Sequence, residues 1–179
     1  MTLSNRRIQR GVSAVEAMIV LSITTILVGA GAPSLDTLRQ RHELIGLAGQ
    51  IETDLQFARS EAVSRNRTLR LTFGRSDGAS CYLVHEGPSP ACTCGEIAAG
   101  DCSVDGAIVR TLMLPAPSRV HLRANVSRMT FDPLLGTVTP TATLRAESRD
   151  GAAVHQIVSL VGRVRACSPE GRVAGMPAC

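Results

Sequence analysis

Residues 12–35 read VSAVEAMIVLSITTILVGAGAPSL, a stretch whose only charge is Glu16, and residues 17–35 carry none. At about 1.5 Å of rise per helical residue the stretch spans roughly 36 Å, enough to cross a hydrocarbon core about 30 Å thick. Residues 1–11, MTLSNRRIQRG, hold Arg6, Arg7 and Arg10 and no acid. A positive flank stays cytoplasmic, so everything beyond residue 35 is expected outside. Gly29-Ala30-Gly31-Ala32 could be read as the cleavage site of an ordinary secretory signal. A carboxylate within an apolar segment is costly in lipid, however, and Glu16 calls for a cationic partner. Cutting after Gly11 would create one, the free amine of Val12.

Beyond Pro33 the apolar residues Leu44, Leu47, Ile51, Leu55, Ala58 and Ala62 recur at three- and four-residue spacing among Arg, Glu, Gln and Asp. That period predicts an amphipathic continuation of the helix over residues 36–66, its apolar face laid on a sheet. Gly29, Gly31 and Pro33 predict a bend or local melting between the halves. Gly46 and Gly49 either weaken the second half or let another backbone approach. After residue 65 the period changes to two: Thr68-Leu69-Arg70-Leu71-Thr72-Phe73 reads as a half-buried strand with Leu69, Leu71 and Phe73 inward. Further short strands are expected near 81–85, 108–114, 119–123, 128–132, 141–146, 154–160 and 162–166, separated by Gly, Pro and Asp turns. Strands in sequence without intervening helices imply antiparallel pairing.

These residues resemble the type IV pilin family and its secretion-system relatives, the pseudopilins. The resemblance rests on a basic leader ending in Gly11, on Glu16 as the fifth residue after it, and on a long apolar helix interrupted by Pro33. It implies cleavage between Gly11 and Val12 by an inner-membrane prepilin peptidase, methylation of the new N-terminus, and pairing of Glu16 with a neighbouring subunit's amine during assembly. Val12 stands where the family usually has Phe. A narrower resemblance, to the GspH/FimT group of minor pilins and pseudopilins, is carried by LQFARSEAVSRNR (residues 55–67), by Phe131-Asp132-Pro133 with Gly136-Thr137-Val138-Thr139-Pro140, and by Val161-Gly162-Arg163-Val164-Arg165-Ala166-Cys167.

All 19 basic residues are arginine, set against 15 acids in 179 residues, for a net charge of +4. So small a surplus does not mark a nucleic-acid binder by itself, and four aromatic residues rule out an aromatic stacking platform. Placement is more telling than the sum. Residues 59–75 carry five arginines and one acid, residues 76–109 five acids and no base, and residues 110–179 nine arginines and four acids. Within the last block Gly162-Arg163-Val164-Arg165, read as strand, would set the two arginines side by side about 6–7 Å apart with Val164 turned inward. That is near the spacing of successive phosphates, which guanidinium forks grip without reading sequence. Gly162 would permit a turn or let the polymer come close. A solvated face with its arginines paired to Glu147 or Glu170 is the plainer alternative. The FimT-type resemblance implies DNA binding at Gly162, Arg163 and Arg165, with Arg145, Arg149 and Arg172 as neighbours.

The six cysteines, Cys81, Cys92, Cys94, Cys102, Cys167 and Cys179, all lie in the C-terminal 99 residues, as suits an exported disulfide-bearing domain. A Cys167–Cys179 bridge would pin a Gly- and Pro-rich tail beside the arginines; the pairing of the other four stays open. Cys92-Thr93-Cys94 lacks the spacing of a zinc site, and no nucleophile, phosphate loop or paired-carboxylate signature suggests an enzyme or a cofactor. The expected architecture is α+β: leader 1–11, transmembrane and filament-core helix 12–35, amphipathic helix 36–66, and a β-rich periplasmic domain 67–179 of one or two antiparallel sheets. The expected function is a minor type IV pilin taking up double-stranded DNA through its phosphates in natural transformation. It would be anchored in the inner membrane by a single pass, then carried in a pilus or pseudopilus towards the cell surface among other pilins. The alternatives are a minor pseudopilin of a type II secretion system and a pilus-priming subunit acting through protein contacts alone.

Overall fold

The computed structural model describes residues 13–76, 78–87 and 107–179, with the side chains of 30–34 left aside. The leader 1–11 with Gly11, the adjoining Val12, and Cys92, Cys94 and Cys102 lie outside the described residues. One helix, α1 (Ala14–Arg65), opens the fold. Ser13 starts it: its Oγ accepts from Glu16 N at 3.2 Å, the first half of an S-x-x-E capping box that also sets an acid at the positive end of the helix dipole. Helical backbone continues through Gly29, Gly31 and Pro33, so the expected melting is absent. A proline deletes one hydrogen bond, which a long helix survives.

The chain divides into two compact units, one ending at Leu38 and one spanning Arg39–Cys179. The first presents its apolar side chains outward, from Val15 through Leu27 and Val28 to Leu38. Its hydroxyls bond within the helix, Ser22 to Met18 O, Thr24 to Val20 O and Thr25 to Leu21 O. Such back-bonding leaves no hydroxyl proton needing an outside acceptor. Among the described residues no helix is long and apolar enough to cross a membrane; residues 12 and 30–34 of the expected span fall outside the side-chain description.

In the second unit α1 ends in a Schellman motif. Asn66 takes the left-handed conformation at φ 51°, Asn66 N donates to Val63 O and Arg67 N to Ala62 O at 3.0 Å. Among the described residues nine antiparallel strands follow. β1 (Leu69–Ser76), β2 (Ala79–Glu86), β3 (Ile108–Leu114), β5 (Arg128–Phe131) and β6 (Val138–Thr139) form one sheet in the order β3-β2-β1-β5-β6. β4 (Val120–Ala124), β7 (Ala142–Ser148), β8 (Ala153–Val158) and β9 (Val164–Cys167) form a second in the order β4-β7-β8-β9. The inner faces of both sheets meet the helix stripe Leu44, Leu47, Ile51, Leu55, Ala58 and Ala62 in one buried cluster. Gly46 and Gly49 lie on the exposed helix face with nothing near, so no backbone approaches them among the described residues.

Besides an exposed Glu43–Arg119 ion pair at 3.4 Å, three buried or half-buried hydrogen bonds seat the helix. Asp54 accepts from the Tyr82 hydroxyl at 2.6 Å, Gln156 Nε2 donates to Ala48 O at 2.9 Å, and Arg59 Nε donates to Gly136 O at 2.8 Å. Burial and then the Asp54 carboxylate push the Tyr82 hydroxyl well above its ordinary pKa, so it stays a donor.

Candidate nucleic-acid interface

The second sheet turns one face to the helix and the other to solvent. The solvent face carries Thr143, Arg145 and Glu147 on β7, Ala153, His155 and Ile157 on β8, and the exposed Arg165 on β9, where Val164 and Ala166 are half-buried on the other face. Strand register places Arg123, Arg145, His155 and Cys167 in one row across β4, β7, β8 and β9. The next row holds Thr143, Ile157 and Arg165. Arg145 and Arg165 are thus two strands apart, about 10 Å across the sheet. Like charges on adjacent strands cost stability, and the one acid on the face, Glu147, bridges Arg123 at 3.3 Å.

Arg163 sits one residue before β9, which begins at Val164 rather than near 162 as the alternation suggests. Ser159 closes the hairpin mouth, its N donating to Arg163 O at 3.0 Å while its Oγ accepts from Arg163 N at 3.2 Å. The connection is Leu160-Val161-Gly162, with Gly162 at φ +73°. A left-handed glycine closing a three-residue hairpin is what antiparallel twist favours. Gly162 is buried, and a Cβ there would stand 2.6 Å from Cδ and Nε of Arg59. The space that a side chain at Gly162 would fill is taken by Arg59, and the glycine makes the turn. Arg163 and Arg165 are exposed, and neither side chain has an ion pair or hydrogen bond among the described residues.

Cys167 and Cys179 form the expected disulfide, with Cα atoms 4.9 Å apart. Ser168 N donates to Pro177 O at 2.8 Å, which lays the tail at the end of β9, and Cys179 Sγ lies 3.9 Å from His155 Nδ1. Burial and the Arg145 guanidinium hold His155 below its ordinary pKa, against Glu147. Cys81 is disulfide-bonded as well. Arg149 and Arg172 do not join the arginine pair. Arg149 follows β7 and donates to Pro117 O at 3.1 Å; Arg172 pairs with Glu170 at 2.5 Å beside Gly151. Both lie at the end of the sheet away from the β8–β9 turn, where Asp150, accepting from Ser148 Oγ and Ala152 N, is held below the usual carboxylate range. Arg123 and Arg59 escaped the sequence reading, since their places depend on strand register and on a contact across the fold. Among the described residues no cluster of His, Cys, Asp or Glu could hold a metal ion.

A family model described as Type II transport protein GspH matches residues 47–162, well over half of the chain. The chain belongs to the GspH family. The crystal structure of the Pseudomonas aeruginosa PAO1 type IV minor pilin FimU in space group P21 aligns with this GspH-family chain at a TM-score of 0.50 and 22% identity, covering 70% of this chain and 88% of that one. The FimU structure in space group P65 aligns at 0.48 and 21%, covering 69% and 91%. The GspH-family protein thus has the pilin-like α+β fold. No curated protein is a significant match.

Proposed function

We propose that this chain is a minor type IV pilin that binds duplex DNA through its phosphates for uptake in natural transformation. The observation that carries the reading is the pair Arg163 and Arg165, exposed and unbridged at the edge of a sheet whose one outward acid is already engaged by Arg123. Arg145 extends the basic face; Arg149 and Arg172 stand apart from it. Contacts of this kind are insensitive to sequence and sensitive to salt. The N-terminal part of the reading is cleavage after Gly11 by a prepilin peptidase, Val12 as first mature residue, and Glu16 paired with a neighbouring subunit's amine. Residues 12–35 then anchor the subunit in the inner membrane and later line the filament, with the β domain periplasmic. The subunit works without catalysis, through contacts with other pilins and with DNA.

The test is a gel shift of the full chain in detergent with duplex DNA, comparing wild type with Arg163→Ala/Arg165→Ala across a salt series. The double variant is expected to bind more weakly on every sequence and to lower the salt slope by about 1 per contact removed. Equal affinity and slope would refute the assignment. The family model's description favours a second reading, a minor pseudopilin of a type II secretion system, which predicts no binding by wild type at modest salt.

A further inference from the structure

The turn that presents Arg163 has an apolar tip. Leu160 is 52% and Val161 61% exposed, and on the adjoining β5–β6 loop Leu134 and Leu135 are 79% and 77% exposed. Hairpin tips are ordinarily built from Gly, Asn, Asp and other polar residues. The two loops are held together: Val138 N donates to Leu160 O at 2.8 Å, and Arg59 ties Gly136 while its side chain packs on the bare face of Gly162. The leucine loop is also fixed internally, with Asp132 Oδ1 accepting from Leu134 N at 2.9 Å and Leu135 N at 2.8 Å. The apolar side chains therefore stand on backbone already ordered, and a ligand need not order it.

Arginine predominates on the hairpin side of this tip. Residues 151–169 contain no acid. Asp132, in the leucine loop, keeps its charge but turns Oδ1 to its own two amides, and Glu61 pairs with Arg65 at 2.6 Å. An apolar projection flanked by unbridged guanidiniums is complementary to a ligand that is anionic outside and apolar within. Duplex DNA is such a ligand, and leucine wedges beside arginines are a recurrent way of entering the minor groove.

We propose that Leu160, with Leu135 on the adjoining loop, is a wedge that enters the minor groove and unstacks a base step while Arg163 and Arg165 hold flanking phosphates. This rests on the DNA-binding reading and specifies its mode: duplex DNA is gripped by deformation without base-specific contacts, most readily at flexible steps. The experiment uses the full chain in detergent and a short duplex carrying a fluorescence donor and acceptor at its ends, with netropsin as minor-groove competitor. Wild type is expected to bend the duplex by about 20° or more and to be displaced by netropsin. Leu160→Ser/Leu135→Ser should keep the salt slope but lose the bend and part of the affinity, whereas Leu160→Phe should keep the bend. Thermal unfolding of each variant separates lost contact from lost fold. Binding by wild type to a straight duplex, undisturbed by netropsin, would overturn the wedge and leave the DNA reading standing; no binding by wild type would overturn both. Loss of co-assembly with other pilins in the serine variant, with bending intact, would mark the patch as a protein interface and equally overturn the wedge.

Discussion

Gly162 is the residue on which the arginine pair depends. It supplies the left-handed φ that ends the hairpin turn and the empty space into which Arg59 packs. Gly162→Ala must accept strained backbone and also displace a side chain hydrogen-bonded to Gly136, at a cost of about 1–3 kcal/mol. The check is thermal unfolding of Gly162→Ala alone and in an Arg59→Ala background; a smaller loss in the second background shows the coupling. His85 sets a pH response at the same scale. It is buried, with Thr72 Oγ1 at 3.0 Å from Nε2 and Glu86 O at 3.0 Å from Nδ1. Burial, with Arg70 and Arg128 nearby, holds its pKa below 6.5 despite Glu86 O. The unfolded chain then takes up a proton that the native state refuses, so stability is full above about 6.5 and falls as pH drops towards the native value. His155 acts in the same direction. Melting temperature should decline between about pH 7 and pH 5, and His85→Gln should flatten that decline.

Elements were readable where a period repeats. The stripe Leu44, Leu47, Ile51, Leu55, Ala58 and Ala62 predicted the buried helix face because six positions spread over five turns average out any single exception. Leu69 and Leu71 likewise face inward on β1, with Phe73 half-buried. β6, two residues long, has no period to detect. The start of β9 was misplaced because the extent of a turn is set by one dihedral angle, which alternation does not report. The partner of Gly162 was hidden for another reason: Arg59 lies far away along the chain, and no local pattern pairs a helix arginine with a hairpin glycine. The Asp54–Tyr82 bond belongs to the same class of long-range contacts. Tyr82→Phe keeps the shape of the ring but strands a buried carboxylate, and urea unfolding should show a loss of about 1–3 kcal/mol. Tyr82→Phe combined with Asp54→Leu should recover part of it.

For the whole molecule the net charge of +4 describes little, since an acidic middle block separates two basic ones. Folding brings Arg145 of β7 and Arg165 of β9 onto one sheet while leaving Arg149 and Arg172 at its other end, a partition that depends on strand order. The tail is fastened by the Cys167–Cys179 bridge. Cys179→Ser, with Cys167→Ser to avoid a stray thiol, should cost up to about 3 kcal/mol in the loop-entropy model and lower the melting temperature accordingly. The tail docks beside His155, so the same variant should also loosen the row shared by His155 and Arg145.

The three-point seat of the helix carries a mechanical consequence. A rod resting on oil alone can slip along its axis or roll about it, because apolar contact resists separation better than sliding. Ala48, Asp54 and Arg59 are pinned respectively to the second sheet, to the first sheet and to the loop before β6. A tug along the rod would load all three fastenings in shear at once, and a twist would strain them in opposing senses. Traction on the helix would reach the arginine hairpin with little lost motion, since Arg59, one of the fastenings, also buttresses the turn from which Arg163 projects.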